Sequence, residues 1–258
     1  MQNYFVSQDY DMYDEEDHKT WSILFKRQNK LHERFICREY LNGFRELQFD
    51  MANIVSIDEI SERLKAINGW TLVPVTGLIP TKDFFYLLIN KRYPITISIR
   101  KPWEIEFSEL PDIFHDVCGH LPLLTNEKFE KFLTSYSNLA LKYISDERAI
   151  EALGRLYWYT YEMGLIWQDG YYKSYGGAII TSSGETANLT NPDIPKYQFD
   201  IGHIFRTPYN PYKLQNEYFA IASFDDLFNC LGDMETKLVE YLLMPQDMVV
   251  ENVENASI

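Results

Sequence analysis

Two histidines five residues apart, His115 and His120, stand inside the stretch Leu110-Pro-Asp-Ile-Phe-His-Asp-Val-Cys-Gly-His-Leu-Pro-Leu-Leu124. On an ideal α-helix five residues turn by roughly 500°, which leaves the two side chains about 140° apart. Both can reach one ion only if the helix ends between them, and Gly119 and Pro122 supply such an ending. A third ligand must come from a distant part of the chain. The best candidate is Glu162, set in Leu156-Tyr-Trp-Tyr-Thr-Tyr-Glu-Met-Gly-Leu-Ile166, where a carboxylate is costly to ionise unless a cation compensates it. Two neutral imidazoles with one carboxylate form the ligand set of non-haem Fe(II) centres that activate oxygen. The same groups also suit a zinc hydrolase, although the His-Glu-x-x-His pattern of zinc proteases is not present. A hydrogen-bonded pair of core histidines and an ion-paired glutamate would account for these residues with no metal at all.

Composition narrows the partners. A formal charge of −14 over 258 residues repels nucleic acid and anionic membrane, so neither is expected as a partner. No apolar run approaches the roughly 20 residues that cross a bilayer, and Met1 to Glu16 is acidic and polar rather than a signal peptide, so the cytoplasm is expected. Cys37, Cys118 and Cys230 are scattered and odd in number, which argues against a disulfide framework. Cys118, between the two histidines, reads as a small apolar filler. The 19 Tyr, 16 Phe and 5 Trp suit a bulky core or an aromatic pocket.

Negative charge at Asp14-Glu-Glu-Asp17 opens a first helix, with Trp21, Leu24, Phe25 and Leu31 on roughly one face and Phe35 and Leu41 continuing the apolar pattern. Ser56-Ile-Asp-Glu59 has capping-box spacing and starts a helix that stops near Gly69. Trp70 to Val75 reads as a strand, Thr76-Gly-Leu-Ile-Pro80 as a loop and Thr81 to Asn90 as a helix. Ile95 to Arg100 reads as a short strand ending in a cation. Thr125 or Asn126 caps a long helix carrying Phe129, Phe132, Leu133, Tyr136, Leu139 and Leu141, and the helix after it carries Glu162 through the middle of the fold. Gly170 to Gly184 reads as a bent strand and loop, Asn191 to Tyr212 as an irregular loop, Glu217 to Ala222 as a strand and Asp225 to Leu243 as one amphipathic helix. The acidic residues after Pro245 read as a frayed tail. With no repeat or linker, the expectation is one α+β, predominantly helical domain with a few short strands over residues 1–258, its core about 10–244 and its tail 245–258.

Residues Pro111 to Leu124 resemble the signature of the pterin-dependent aromatic amino acid hydroxylases, and among them the bacterial phenylalanine 4-hydroxylases. Gly69-Trp-Thr-Leu-Val-Pro-Val-Thr-Gly-Leu-Ile-Pro80, Leu156 to Leu165 and Tyr175-Gly-Gly-Ala-Ile-Ile-Thr-Ser-Ser-Gly-Glu185 are similar to family segments in the same order. The resemblance implies a monooxygenase of phenylalanine catabolism that uses Fe(II), O2 and tetrahydrobiopterin or a related tetrahydropterin to convert L-phenylalanine to L-tyrosine. The alternatives are the same chemistry on tryptophan or another aromatic amino acid, a zinc-dependent hydrolase, and a non-catalytic binding relative. His115, His120 and Glu162 then hold the iron, and no other catalytic residue is implied. Arg100, Ser108, Pro111, Trp158 and Thr181 match substrate-pocket positions, Arg100 as the clamp on the substrate carboxylate. Gly77, Leu78, Phe84, Asp116 and Tyr157 match positions around the pterin, with its ring stacked on Phe84. Trp158 favours phenylalanine, since tryptophan-hydroxylating relatives usually have Phe there. Leu110 stands where an acid is usual, Met163 where Phe is usual, and Ala178 and Thr181 where Gly and Ser are common. The chain has no room for a full version of the regulatory domain of the animal members, and a monomer is expected.

Overall fold

The computed structural model describes residues 4–29, 32–106, 108 and 110–245. Local signals start the helices where charge and caps demand. Glu15, Glu16 and Asp17 occupy the first turn of the helix Glu15–Asn29, and Trp21, Leu24 and Phe25 on its inner face are buried. Leu31 lies outside the described residues. The Ser56 hydroxyl accepts from the Glu59 amide to cap the helix Ile57–Asn68, and Gly69 closes that helix at φ 84°. Asn126 caps Glu127–Lys142 in the same way.

Strands β1, Thr71–Val75, and β2, Arg92–Thr96, pair in parallel, joined by the crossover helix Thr81–Ile89. The second strand thus lies upstream of the expected Ile95–Arg100. Beyond Ile97, whose amide still donates to Val75 O, the chain leaves the ladder: Ile113 donates to Ser98 O, and the Arg100 amide donates to the Asp112 carboxylate. A second sheet has the order β4-β3-β6-β5, built from β3 (Leu165–Gln168), β4 (Tyr171–Ser174), β5 (Lys196–Gln198) and β6 (Tyr218–Ile221). Asp169 and Gly170 at φ 57° and 82° make the two-residue turn that Asp-Gly favours between antiparallel strands.

Four expectations are corrected. The helix expected to carry Glu162 is regular only over Glu147–Tyr157 and widens into a π turn, Trp158–Glu162; Leu165 and Ile166, at the end of the same apolar run, belong to β3. The segment Gly170 to Gly184 is β4 followed by the short helix Gly177–Thr181 and the start of Ser183–Leu189. The loop Asn191 to Tyr212 contains β5 and one helical turn, Ile201–Ile204. The last helix is two, Phe224–Asn229 and Met234–Leu243, parted at Gly232, where Asp233 donates back to Cys230 O. The acidic tail falls outside the described residues, apart from its first residue, Pro245.

The architecture is otherwise the mainly helical α+β fold expected, with few and short strands. One apolar cluster runs from Trp21 to Tyr241 and buries Phe114, Val117, Phe129 and Leu156 at its centre. Met163 is buried in a smaller cluster with Ile179, Leu189 and Tyr218, against which Trp158 and Ala178 pack. Among the described residues no helix is long and apolar enough to cross a membrane.

Candidate active site

The two histidines converge without the helix ending between them. Residues His115–His120 form a π turn that runs directly into Leu121–Leu124. A π turn bonds residue i to i+5 and widens the coil, so side chains five apart come to nearly the same face. The 140° separation of an α-helix disappears. Glu162 is delivered by the second π turn, in which the Met163 amide donates to Trp158 O at 2.8 Å. The result brings His115 Nε2 to 3.0 Å from His120 Nε2, with Glu162 oxygens 3.3 Å from His120 and 3.6 Å from His115.

Hydrogen bonds aim these groups. The Thr181 hydroxyl donates its one proton to Gly177 O at 2.8 Å. It therefore accepts from His115 Nδ1–H at 2.9 Å, which places the proton on Nδ1 and leaves the Nε2 lone pair free. The helix carrying Thr181 approaches this closely because Gly176 and Gly177 have no side chain. A Cβ on Gly176 would meet Glu162 O at 2.3 Å, and one on Gly177 would meet His120 Cε1 at 2.4 Å. Tyr161 stacks on the His120 ring, centroids 4.4 Å apart and 14° from parallel.

Electrostatics favour a cation at this point. Burial holds His115 down at about 4 against the opposing pull of the Glu162 carboxylate. The imidazole is therefore neutral at physiological pH. Burial pushes the Glu162 carboxyl up, but the two histidines and the Ala178 amide outweigh it and hold the carboxyl below its usual value. Glu162 Oε2 is buried with no hydrogen-bond partner, an orphan that costs free energy unless something positive binds it. Ligands on one ion with bonds of about 2.1 Å at right angles lie about 3 Å apart, close to the spacing found. This donor set fits a divalent iron, and the three groups form a candidate metal cluster among the described residues.

The other candidate residues divide into an inner and an outer set. Arg100 Nε and Nη2 grip Asp112 at 2.8 and 3.0 Å, and both side chains are buried. Asp112 Oδ1 also accepts the His115 amide at 2.9 Å, so the arginine is tied to the start of the first π turn. Asp116 accepts the Thr96 amide at 2.7 Å, and burial pushes its carboxyl up to about 7. Phe84 meets Tyr157 edge to face at 5.9 Å, both half-buried, and Trp158 stacks on Tyr209. Gly77 and Leu78 lie in the loop before the helix Thr81–Ile89, with Leu78 75% exposed. Ser108 donates to Leu110 O within its own loop, beside the half-buried Pro111; Leu110, at the missing acid, faces solvent.

Sequence reasoning missed the roles of Asp112, Tyr161, Tyr209 and the Gly176-Gly177 pair. The glycine pair was visible as a signal, but a bend in a strand explains it equally well until His120 is seen behind it.

With this geometry in view, similarity to known proteins is decisive. Residues 8–255 match the family described as biopterin-dependent aromatic amino acid hydroxylases. The chain belongs to that family. Among its relatives, this hydroxylase is 39% identical to the phenylalanine-4-hydroxylase of Pseudomonas aeruginosa over 216 residues, 84% of this chain and 82% of the relative. It is 36% identical to that of Chromobacterium violaceum over 228 residues, 88% and 76% of the two. A crystal structure of the Chromobacterium enzyme with iron(III) and the oxidised cofactor 7,8-dihydrobiopterin superposes with a TM-score of 0.87 at 36% identity, covering 93% of this chain and 86% of that one. Family membership leaves the hydrolase and metal-free alternatives without support.

Proposed function

We propose that this hydroxylase converts L-phenylalanine to L-tyrosine with O2, Fe(II) and a tetrahydropterin. The observation that carries the reading is the convergence of His115 Nε2, His120 Nε2 and an unpartnered Glu162 oxygen beside the half-buried Phe84–Tyr157 pair. His115, His120 and Glu162 hold the iron. Iron and tetrahydropterin together supply the electrons that activate O2, so that one oxygen atom reaches the aromatic ring and the other leaves on the pterin.

The protein's own task is placement. Thr181 and Asp112 orient His115 from its side chain and its backbone, so the iron site is set before any substrate arrives. Arg100, already fixed by Asp112 through Nε and Nη2, turns Nη1 to the substrate carboxylate, a cation well suited to that anion. Trp158 and Pro111 flank the substrate ring and Ser108 lies at the rim of the pocket. Phe84 stacks on the pterin, Tyr157 and Asp116 line the deep side of that site, and backbone groups of Gly77 and Leu78 approach it from the loop. Holding two flat ring systems over one ion with water excluded lowers the barrier through orientation. No side chain of the triad acts as an acid or base. Residues 1–258 act as one catalytic domain, monomeric and cytoplasmic, a reading supported by the apolar cluster that spans Trp21 to Tyr241 and by the −14 charge.

The test is product mass spectrometry after protein loaded anaerobically with Fe(II) is mixed with tetrahydrobiopterin, air and equal phenylalanine, tyrosine and tryptophan. Tyrosine formed from phenylalanine is expected. Pterin oxidation with no hydroxylated amino acid would reject the substrate, and hydroxytryptophan as the main product would move it to the larger ring.

A further inference from the structure

Behind Trp158 lies a second buried polar network that the metal chemistry does not use. Trp158 opens the π turn that ends at Glu162, and Tyr209 covers its ring, centroids 4.6 Å apart and 16° from parallel. Tyr209 belongs to a segment without regular structure between Thr207 and Gln215; the Tyr159 hydroxyl ties its start at Pro208 O, 2.8 Å away, and the Tyr159 ring meets Tyr209 edge to face, but no helix or sheet-ladder bond ties its far end to the tryptophan.

Gln215 does. It is 5% exposed, and its amide is fully committed. Oε1 accepts the Trp158 indole N–H at 3.0 Å, while Nε2 donates to Asn210 O and Lys213 O, both at 2.9 Å. Flipping the amide would break all three bonds, so its orientation is determined. The backbone is held as firmly: Gln215 N–H donates to Glu185 Oε1 at 3.0 Å, and Asn188 donates to Gln215 O at 2.8 Å. Glu185, also buried, takes the Tyr218 hydroxyl on its other oxygen. A buried indole N–H needs a partner, and here that partner is the anchor of the loop that supplies Tyr209.

We propose that Gln215 is a positioning residue: its amide locks the Trp158–Tyr209 pair as one wall of the amino acid pocket and sets the pocket's selectivity for a single-ring substrate over tryptophan. The proposal rests on the reading of Trp158 as a pocket wall. Glu185 supports it from behind by fixing the Gln215 backbone, on the helix that follows the one bearing Thr181. One short stretch of chain thus aims both a metal ligand and, through Gln215, the substrate wall.

The test is steady-state kinetics of iron-loaded Gln215→Met, a near-isosteric change that removes all three side-chain bonds. The phenylalanine KM should rise roughly fivefold to tenfold, the loss expected for a buried hydrogen bond, with kcat changed less than about twofold. The ratio of tryptophan to phenylalanine kcat/KM should rise, and iron content should stay normal. In the Trp158→Phe background, which lacks the indole N–H, adding Gln215→Met should change KM far less than it does alone. An unchanged KM and selectivity, or a loss of kcat and iron together at constant KM, overturns the proposal. The unaltered protein gives an independent reading by nitrogen NMR, with Trp158 assigned among the 5 tryptophans by loss of its signal in Trp158→Phe. A slowly exchanging indole N–H that shifts when phenylalanine is added supports the latch, and a freely exchanging one overturns it. If the unaltered protein binds no phenylalanine, the functional reading itself fails and takes this inference with it; normal turnover with an unaffected Gln215→Met removes only the latch.

Discussion

The inner face of the site and its outer rim are built on opposite principles. The metal-facing groups sit on two π turns, with His120 buried and His115 and Glu162 mostly so, and are aimed by neighbours whose own bonds are satisfied: Thr181 by Gly177 O, Asp112 by Arg100. The rim is loop and short turn, with Leu78, Trp103 and Leu110 exposed at 75, 79 and 62%, and it is tied down by surface ion pairs such as Arg27–Glu106 and Lys101–Asp17. Such pairs contribute between zero and about 1 kcal/mol each. The inner face is therefore expected to be unforgiving, and the rim free to vary. Departures from the family pattern follow this division in part: Leu110 lies on the rim and Thr181 keeps the hydroxyl that the inner face needs, whereas Met163 and Ala178 belong to a small apolar cluster that Trp158 also packs against.

Mutations can break this comparison, and the largest effect is expected at the ion itself. His120→Ala should reduce iron to background and abolish hydroxylation, measured by metal analysis and product formation; near-normal iron would remove His120 from the ligand set. Next comes Arg100→Ala, which strands the buried Asp112 carboxylate. Removing one partner of a buried pair costs about 3–5 kcal/mol, to be read from denaturant unfolding, and amino acid affinity should fall with it. Burial pushes the Asp112 carboxyl up, but the Arg100 pair and the His115 amide hold it below its ordinary 3.8. Its contribution is therefore present above that value and lost as the pH falls through the lowered one.

Smaller, but still on the inner face, Gly177→Ala should drive a methyl into His120, and Thr181→Val should release His115 Nδ1. Each is expected to weaken iron binding by about 10- to 100-fold, the range for groups that orient a metal ligand, as measured by competition with a chelator. Acidification should sharpen the same point. Because burial holds His115 down at about 4, its ring should stay unprotonated as the pH falls past 6.5, read by NMR titration of the metal-free protein with His115 assigned by its loss in His115→Ala. A midpoint near 6.5 would mean that the neutral imidazole is wrongly assigned. On the rim, Leu78→Ala should change stability by less than about 0.5 kcal/mol while altering only the pterin KM. A stability loss as large as that of Arg100→Ala would erase the distinction between rim and interior.

Much of the helical frame was legible because its signals are local. Ser56, Asn126 and the acidic run before Trp21 act within one turn of themselves, so caps and starts can be read from neighbours alone. The strand at Ile95–Arg100 was misplaced for the opposite reason. Its residues are as β-prone as those before them, and only the closed fold turns the chain out of the ladder after the Ile97 amide meets Val75 O, so that the Arg100 amide reaches Asp112 instead. Likewise, Leu165 and Ile166 continue an apolar run suited to a helix, and it is pairing with Ser174 and Ala220 that makes them a strand.

By itself the sequence nominated the candidate ligands and, through matching motifs that stand in order along the chain, pointed to the family and its chemistry, since side-chain type and spacing limit which groups can meet at one ion. Only the tertiary structure decided how five-residue spacing becomes convergence, because a π turn is stable where packing such as Tyr161 on His120 and the close approach of Gly177 supports it. Tertiary structure also decided that Arg100 is committed to Asp112, and that Gln215, mute in the sequence, stands behind Trp158. These pairings join residues 12 and 57 positions apart, and their geometry exists only once the apolar core has closed around them.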